Sequence, residues 1–288
     1  MTNSNVSLDD KYSIESGRIF VTGVQALARI PMVQRQRDVL EGLNTAGFIS
    51  GYRGSPVGGF DQQLWRAKKF LEQNHIRFQP GLNEDLAASA IWGSQQTNLH
   101  EGGKYDGVFA IWYGKGPGVD RCGDVFKHGN MSGPAKHGGV LLIAGDDHAA
   151  KSSTVPHQSE YAFMDASIPV LNPAGLQDIV DYGILGFAMS RFSGCWVAFK
   201  TTAENMDSSA SIDVSPDRVK ISLPKFDMPE GGLSIRWPDD WIEQEHRLHQ
   251  YKLNAVRAFA RQNKIDKTII NSQNPKLGVV TTGKSYLD

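Results

Sequence analysis

The sequence predicts an α/β fold, a parallel sheet with helices on both faces, and three observations carry that reading. Continuous apolar runs recur at 46–51, 108–112, 140–144, 168–171 and 196–200, the pattern of strands covered on both sides. Helix-like stretches separate them, so strand, loop and helix repeat in the order that builds parallel sheets. Several of the runs open into glycine-rich or charged loops, as strands do at the ligand-binding edge of such a sheet.

Taken in order, AGFISG (46–51) is the first strand and residues 60–73 the helix after it. Asn83 opens a second helix over 84–97, with Leu86, Ala87, Ala90 and Ile91 along one face. VFAIW (108–112) and VLLIA (140–144) are buried strands, and IPVL (168–171) is a shorter one, leading into a helix over 174–190. WVAFK (196–200) closes the set. These elements make one domain over 46–213, preceded by an N-terminal extension and leading helix at 1–45. Residues 214–273 read as a connector, first rich in proline, glycine and charge, then helical over 239–262 with Asp239 or Asp240 as cap and Leu253, Val256 and Phe259 at helical spacing. At 274–288, residues 277–281 look like a fresh strand and Gly283 like its turn, the start of a following, truncated domain.

Composition narrows the function classes. The 288 residues carry a formal net charge of −1, without the basic surplus that a nucleic-acid or membrane partner favours. No apolar run approaches the ~20 residues that cross a bilayer, and the polar start lacks the order of a signal peptide, so cytoplasmic location is the expectation. The two cysteines, Cys122 and Cys195, cannot ligate a four-cysteine iron–sulfur cluster, so any electron-transfer group must sit elsewhere.

Four polar segments lie along the domain. Gly51-Tyr52-Arg53-Gly54-Ser55-Pro56-Val57-Gly58-Gly59 follows the first strand and matches neither a P-loop nor a dinucleotide fingerprint; it is a tight turn or a ligand loop. Glu84 and Asp85 share a first helical turn, where either acid can meet the helix dipole. Tyr113-Gly114-Lys115-Gly116-Pro117-Gly118 is an anion-binding nest or a flexible crossing, with Asp120, Arg121, Asp124, Lys127 and His128 adding charge after it. Gly145-Asp146-Asp147-His148-Ala149-Ala150-Lys151-Ser152-Ser153 continues to His157-Gln158-Ser159-Glu160, and no spacing within it is diagnostic of a metal. The loops that follow the strands fall on one edge of the sheet.

These pieces resemble the pyrimidine-binding domain of thiamine-diphosphate-dependent 2-oxoacid:ferredoxin oxidoreductases, and within them the indolepyruvate type. The resemblance rests on FISGYRGSPVGGFD (48–61), GLNEDLAASAIWGSQ (81–95), YGKGPGVDR (113–121) and GVLLIAGDDHAAKSSTVPHQSEYAFMDASIPVLNPAG (139–175). It implies a thiamine-diphosphate-binding, pyrimidine-type fold and makes Glu84 the acid that reaches N1′ of the aminopyrimidine ring. A carboxyl group there favours the imino tautomer that activates the cofactor. Gly54, Ser55 and Lys115 would lie near the cofactor, and Ser55, Arg53, Asp147, His148 and His157 near the substrate. The family turn often reads GYPGTP; here Arg53 stands in place of its proline, paired with a substrate carboxylate or facing solvent, while Ser55 keeps the hydroxyl.

The implied reaction is oxidative decarboxylation of indolepyruvate or a related aryl pyruvate, with electrons passed to ferredoxin and the acyl group to coenzyme A. Magnesium and the 4Fe-4S clusters would belong to other domains or subunits, because this chain lacks the pyrophosphate-binding motif. The fragment alone should not catalyse, and a homo-oligomer is expected because half-sites need a partner surface. A non-oxidative thiamine-dependent 2-oxoacid decarboxylase and a non-catalytic α/β interaction domain are the rivals. A nucleotide-binding module is disfavoured by the missing phosphate fingerprint.

Overall fold

The computed structural model describes residues 6–150 and 155–288. Its centre is a parallel sheet built from β2 (Ala46–Gly51), β3 (Ile76–Phe78), β4 (Val108–Lys115), β5 (Val140–Asp146), β6 (Val170–Leu171) and β7 (Val197–Thr202), in the spatial order β3-β2-β4-β5-β7-β6. All five predicted strands of the domain are present, and β3 joins them as a short edge strand. Side chains alternate between two cores, as the strand period of two requires. Ile111, Tyr113, Leu141, Ile143, Val197 and Phe199 enter one core; Ala110, Trp112, Val140, Leu142, Ala144 and Ala198 enter the other.

Helices cover both faces. On the first lie α1 (Gly23–Leu40), α2 (Phe60–Arg66), α3 (Lys68–Gln73) and α8 (Leu176–Ser193). On the second lie α4 (Glu84–Gln95), α5 (Gly116–Arg121), α6 (Gly123–Ser132) and α7 (Glu160–Asp165). The predicted helix 60–73 is broken at Ala67 into α2 and α3. In α4 the buried side is Ala87, Ala88, Ile91 and Gln95, whereas Leu86 is 52% exposed. The phase differs by about one position from the sequence reading because the small Ala87 and Ala88, rather than the larger Leu86, turn inward. Gly194, at φ +72°, closes α8 in the left-handed conformation that glycine adopts without a side-chain clash.

The flanking segments join this body. Outside the sheet, β1 (Arg18–Thr22) pairs antiparallel with β8 (Ser209–Asp213), an element that alternating exposure made hard to see in sequence. The predicted C-terminal helix exists as α9 (Trp241–Arg247), a π turn at Leu248–Lys252, and α10 (Leu253–Gln262). Asp240 is its cap, accepting from the Ile242 and Glu243 amides, while Asp239 pairs with Arg247. The fresh strand expected at 277–281 does not form. A strand needs a neighbour for its ladder hydrogen bonds, this stretch has none among the described residues, and Leu277, Val279 and Val280 stand 81%, 79% and 96% exposed. Among the described residues no helix is long and apolar enough to cross a membrane.

The π turn carries Lys252 inward, where it is 1% exposed and donates to the carbonyls of Asn130 (3.1 Å) and Met131 (2.7 Å) near the end of α6. Burial lowers its pKa from 10.5 to about 8. Between those two values the unfolded chain holds the proton that the folded chain has lost, so folding stability gains with rising pH. Lys252 is therefore expected to add up to roughly 3 kcal/mol of stability between pH 8 and 10.5. Denaturant titrations across that range should show this rise in the native protein and its loss in Lys252→Met.

Candidate functional site

The carboxyl ends of β2, β4 and β5 finish side by side, with Gly51 opposite Tyr113 and Lys115 opposite Gly145. The backbone there is so crowded that glycine is a steric need. A methyl built on Gly54 would stand 2.6 Å from Cδ of Lys115, one on Gly116 2.2 Å from the His157 ring, and one on Gly118 2.6 Å from Cγ of Glu84. These contacts bring together Gly54, Lys115, Glu84 and His157. The segment 113–118 is thus neither a nest nor a loose crossing: Lys115 ends β4, and Gly116-Pro117-Gly118 forms the first turn of α5.

Glu84 sits at the first position of α4, with its side chain 15% exposed. The Asn83 side chain accepts from the Leu86 amide at 2.9 Å and so caps the helix. The Trp112 indole donates to the Glu84 carbonyl at 3.1 Å, fixing that turn to β4. Arg121 bonds the neighbouring Asp85 at 2.8 Å and stands 3.9 Å from the Glu84 carboxylate. The Asp85 carboxylate beside it raises the Arg121 pKa further. Of the two acids in this turn, Asp85 holds the arginine and Glu84 packs against Gly118.

At the end of β5 the polar segment resolves into a network that spacing did not reveal. Asp146 is buried and accepts from the Ser159 amide at 2.9 Å and its hydroxyl at 2.5 Å, with Lys200 Nζ 3.4 Å away. Lys200, itself buried, also pairs with Glu160. Burial opposes ionisation of Glu160, but Lys200 holds its carboxyl below the ordinary value. His157 donates or accepts through Nε2 at 2.8 Å from Asp120, while Nδ1 lies 3.8 Å from Asp146. Asp147 is buried in the same turn and His148 is exposed. Lys151, Ser152 and Ser153 of the predicted segment lie outside the described residues. Asp146 and Lys200 were the readable signals, charged side chains at the ends of otherwise apolar strand runs.

In the loop after β2, Arg53 and Ser55 are exposed at the sheet edge, and Pro56 approaches Gly145 across the ends of the strands. The exposed Arg53 side chain is accessible to a substrate carboxylate as well as to solvent. Its charge reaches Asp61, whose carboxyl burial lifts above the ordinary value against the pull of the Tyr113 hydroxyl and Arg53. Burial likewise raises Tyr113 and both cysteines, so neither thiol is poised as a nucleophile. Among the described residues no group of three or more histidine, cysteine or acidic side chains is gathered for a metal.

No family model matches the chain. Two curated proteins do, both named indolepyruvate oxidoreductase subunit IorA. The one from Pyrococcus abyssi is 23% identical over 93% of this chain, and the one from Pyrococcus horikoshii 22% over 93%. The chain is thus similar to these indolepyruvate oxidoreductase subunits. It spans 38% of the length of either curated relative. Among solved structures, 2-oxoglutarate:ferredoxin oxidoreductase from Magnetococcus marinus, with 2-oxoglutarate, coenzyme A and succinyl-CoA bound, superposes at a TM-score of 0.55. It is 15% identical, and the likeness covers 84% of this chain and 46% of that one. That likeness supports the thiamine-diphosphate-type α/β fold expected from the sequence.

The Asp146 cluster gives a direct test of what holds this edge together. Asp146→Ala removes the acceptor for both Ser159 groups and one of the two carboxylates around buried Lys200. It should cost about 3 kcal/mol in urea unfolding, whereas Asp124→Ala, on an exposed side chain that is 90% accessible, should cost under about 0.5 kcal/mol.

Proposed function

We propose that this chain is the pyrimidine-binding part of a thiamine-diphosphate-dependent 2-oxoacid:ferredoxin oxidoreductase acting on indolepyruvate or a related aryl pyruvate. The observation that carries the proposal is the position of Glu84: first turn of α4, at the carboxyl edge of a parallel sheet, against a glycine that leaves its side chain room. The curated relatives' name favours the indolepyruvate substrate.

The residues present fit the cofactor's ring. Position 118 admits no side chain without displacing Glu84, so the carboxyl group has a defined place beside the strand ends. Glu84 would hydrogen-bond N1′ of the aminopyrimidine, and the backbone at Gly54 and the Lys115 side chain would border it. Bound there, thiamine diphosphate would supply nucleophilic chemistry toward a 2-oxoacid carbonyl. Ser55 and Arg53, exposed on the adjoining loop, would meet the substrate, its carboxylate drawn by Arg53. His157, His148 and Asp147 would border the same space from the β5 side. The remaining domains of the enzyme would bring the diphosphate site with its magnesium, the 4Fe-4S clusters and the contacts for coenzyme A and ferredoxin.

Calorimetric titration of the assembled enzyme with thiamine diphosphate and magnesium tests the reading. The native protein should bind, and Glu84→Ala should weaken binding at least about tenfold, the worth of a hydrogen bond to a charged group. Undiminished affinity in Glu84→Ala would remove the assignment of Glu84 to the ring.

A further inference from the structure

We propose that His157 is a positioning residue for Glu84, acting through the turn Lys115-Gly116-Pro117-Gly118; this rests on the reading of Glu84 above. The turn is gripped at three of its four residues. The Lys115 stem lies against Gly54, the His157 ring against Gly116, and the Glu84 side chain against Gly118. His157 also bonds Asp120, on the same short helix, at 2.8 Å. It therefore holds α5 both at its first residue and one turn on.

The other side of the ring is fixed as well. His157 is 16% exposed, and its Nδ1, 3.8 Å from Asp146, is buried with no hydrogen-bond partner among the described residues. The Asp146 carboxylate is instead engaged by Ser159 and Lys200. Exposed ion pairs contribute little to stability, and a buried ring nitrogen without a partner opposes it. Stability alone thus gives a weak reason for an imidazole here. Its position gives a better one: the ring is the wedge between the end of β5 and the turn that Glu84 leans on. A shift of α5 toward a vacated His157 site would carry Gly118 away from Glu84 and loosen the carboxylate. Although it borders the substrate space, His157 reaches Glu84 and the ring site through the turn, not by touching a reacting atom.

The test uses His157→Ala, Asp120→Ala, His157→Gln and Gly116→Ala, with two readouts. In the assembled enzyme, calorimetry should show thiamine diphosphate affinity about tenfold weaker in His157→Ala and in Asp120→Ala, no weaker in the pair than in either alone, and partly restored in His157→Gln. In the present chain, hydrogen exchange at residues 115–121 should quicken in His157→Ala while β4 and β5 keep native protection. Gly116→Ala should weaken binding by pressing on the ring, and the double variant Gly116→Ala/His157→Ala should bind no worse than His157→Ala. Native affinity in His157→Ala, or native exchange at 115–121, overturns the proposal while leaving the thiamine reading intact. No uptake of the cofactor by the native assembled enzyme removes that reading, and with it the role assigned to His157.

Discussion

The candidate site depends on one steric constraint, the lack of room for side chains where β2, β4 and β5 end together. A methyl on Gly51 would lie 2.2 Å from the Tyr113 carbonyl oxygen, and those on Gly54, Gly116 and Gly118 would strike Lys115, His157 and Glu84. Parallel ladders bring strand ends to one level, but they do not by themselves bring functional side chains together. The glycines do so by letting a side chain from one element lie directly on the backbone of the next. Any larger residue at these positions would separate the elements by about the width of a methyl group, enough to break hydrogen bonds that tolerate only a few tenths of an ångström.

The sheet was legible because its strands are buried on both faces and so leave continuous apolar runs. Elements governed by other physics were not. β1 and β8 bury alternate residues only, β3 spans three residues, and the apolar stretch at 277–281 has strand composition without a strand to pair with. The loops that follow the strands meet at one edge, and the helix after Asn83 begins at Glu84, as the sequence predicts; a role for Glu84 came only from the resemblance. The contacts within the edge could not, because they join residues remote in sequence: Asp146 to Lys200, Asp120 to His157, Glu84 to Gly118. Spacing rules see neighbours on one element, and each of these pairs spans two.

The segments outside the sheet are fastened in a common manner, by buried or half-buried cations that donate to carbonyl oxygens. Arg29, fully buried and with its pKa lowered by burial to about 10, reaches the carbonyls of Tyr12 and Ile14. Arg37 reaches those of Pro216 and Val219, and Lys252 those of Asn130 and Met131. Irregular chain and helix ends leave carbonyls without ladder partners, and a long cationic side chain can satisfy two at once. The arrangement costs desolvation, visible in the lowered pKa values of all three. In return it ties the N-terminal segment and the connector to the α/β body without extending the sheet.

The same division of labour decides between the two acids at the start of α4. A helix N-terminus calls for an acceptor and a negative charge. Asn83 already supplies the acceptor, and Asp85 the charge, which it shares with Arg121. Those local needs are met without Glu84. Its side chain instead turns against Gly118, where Arg121 approaches only to 3.9 Å and solvent access is small. The Glu84 carboxylate neither caps its helix nor hydrogen-bonds Arg121, which leaves it able to accept from a further donor. The dipole explanation, adequate for an acid in a first turn, accounts for Asp85. Under the proposed reading of Glu84, a protonated ring nitrogen from outside the chain would be such a donor.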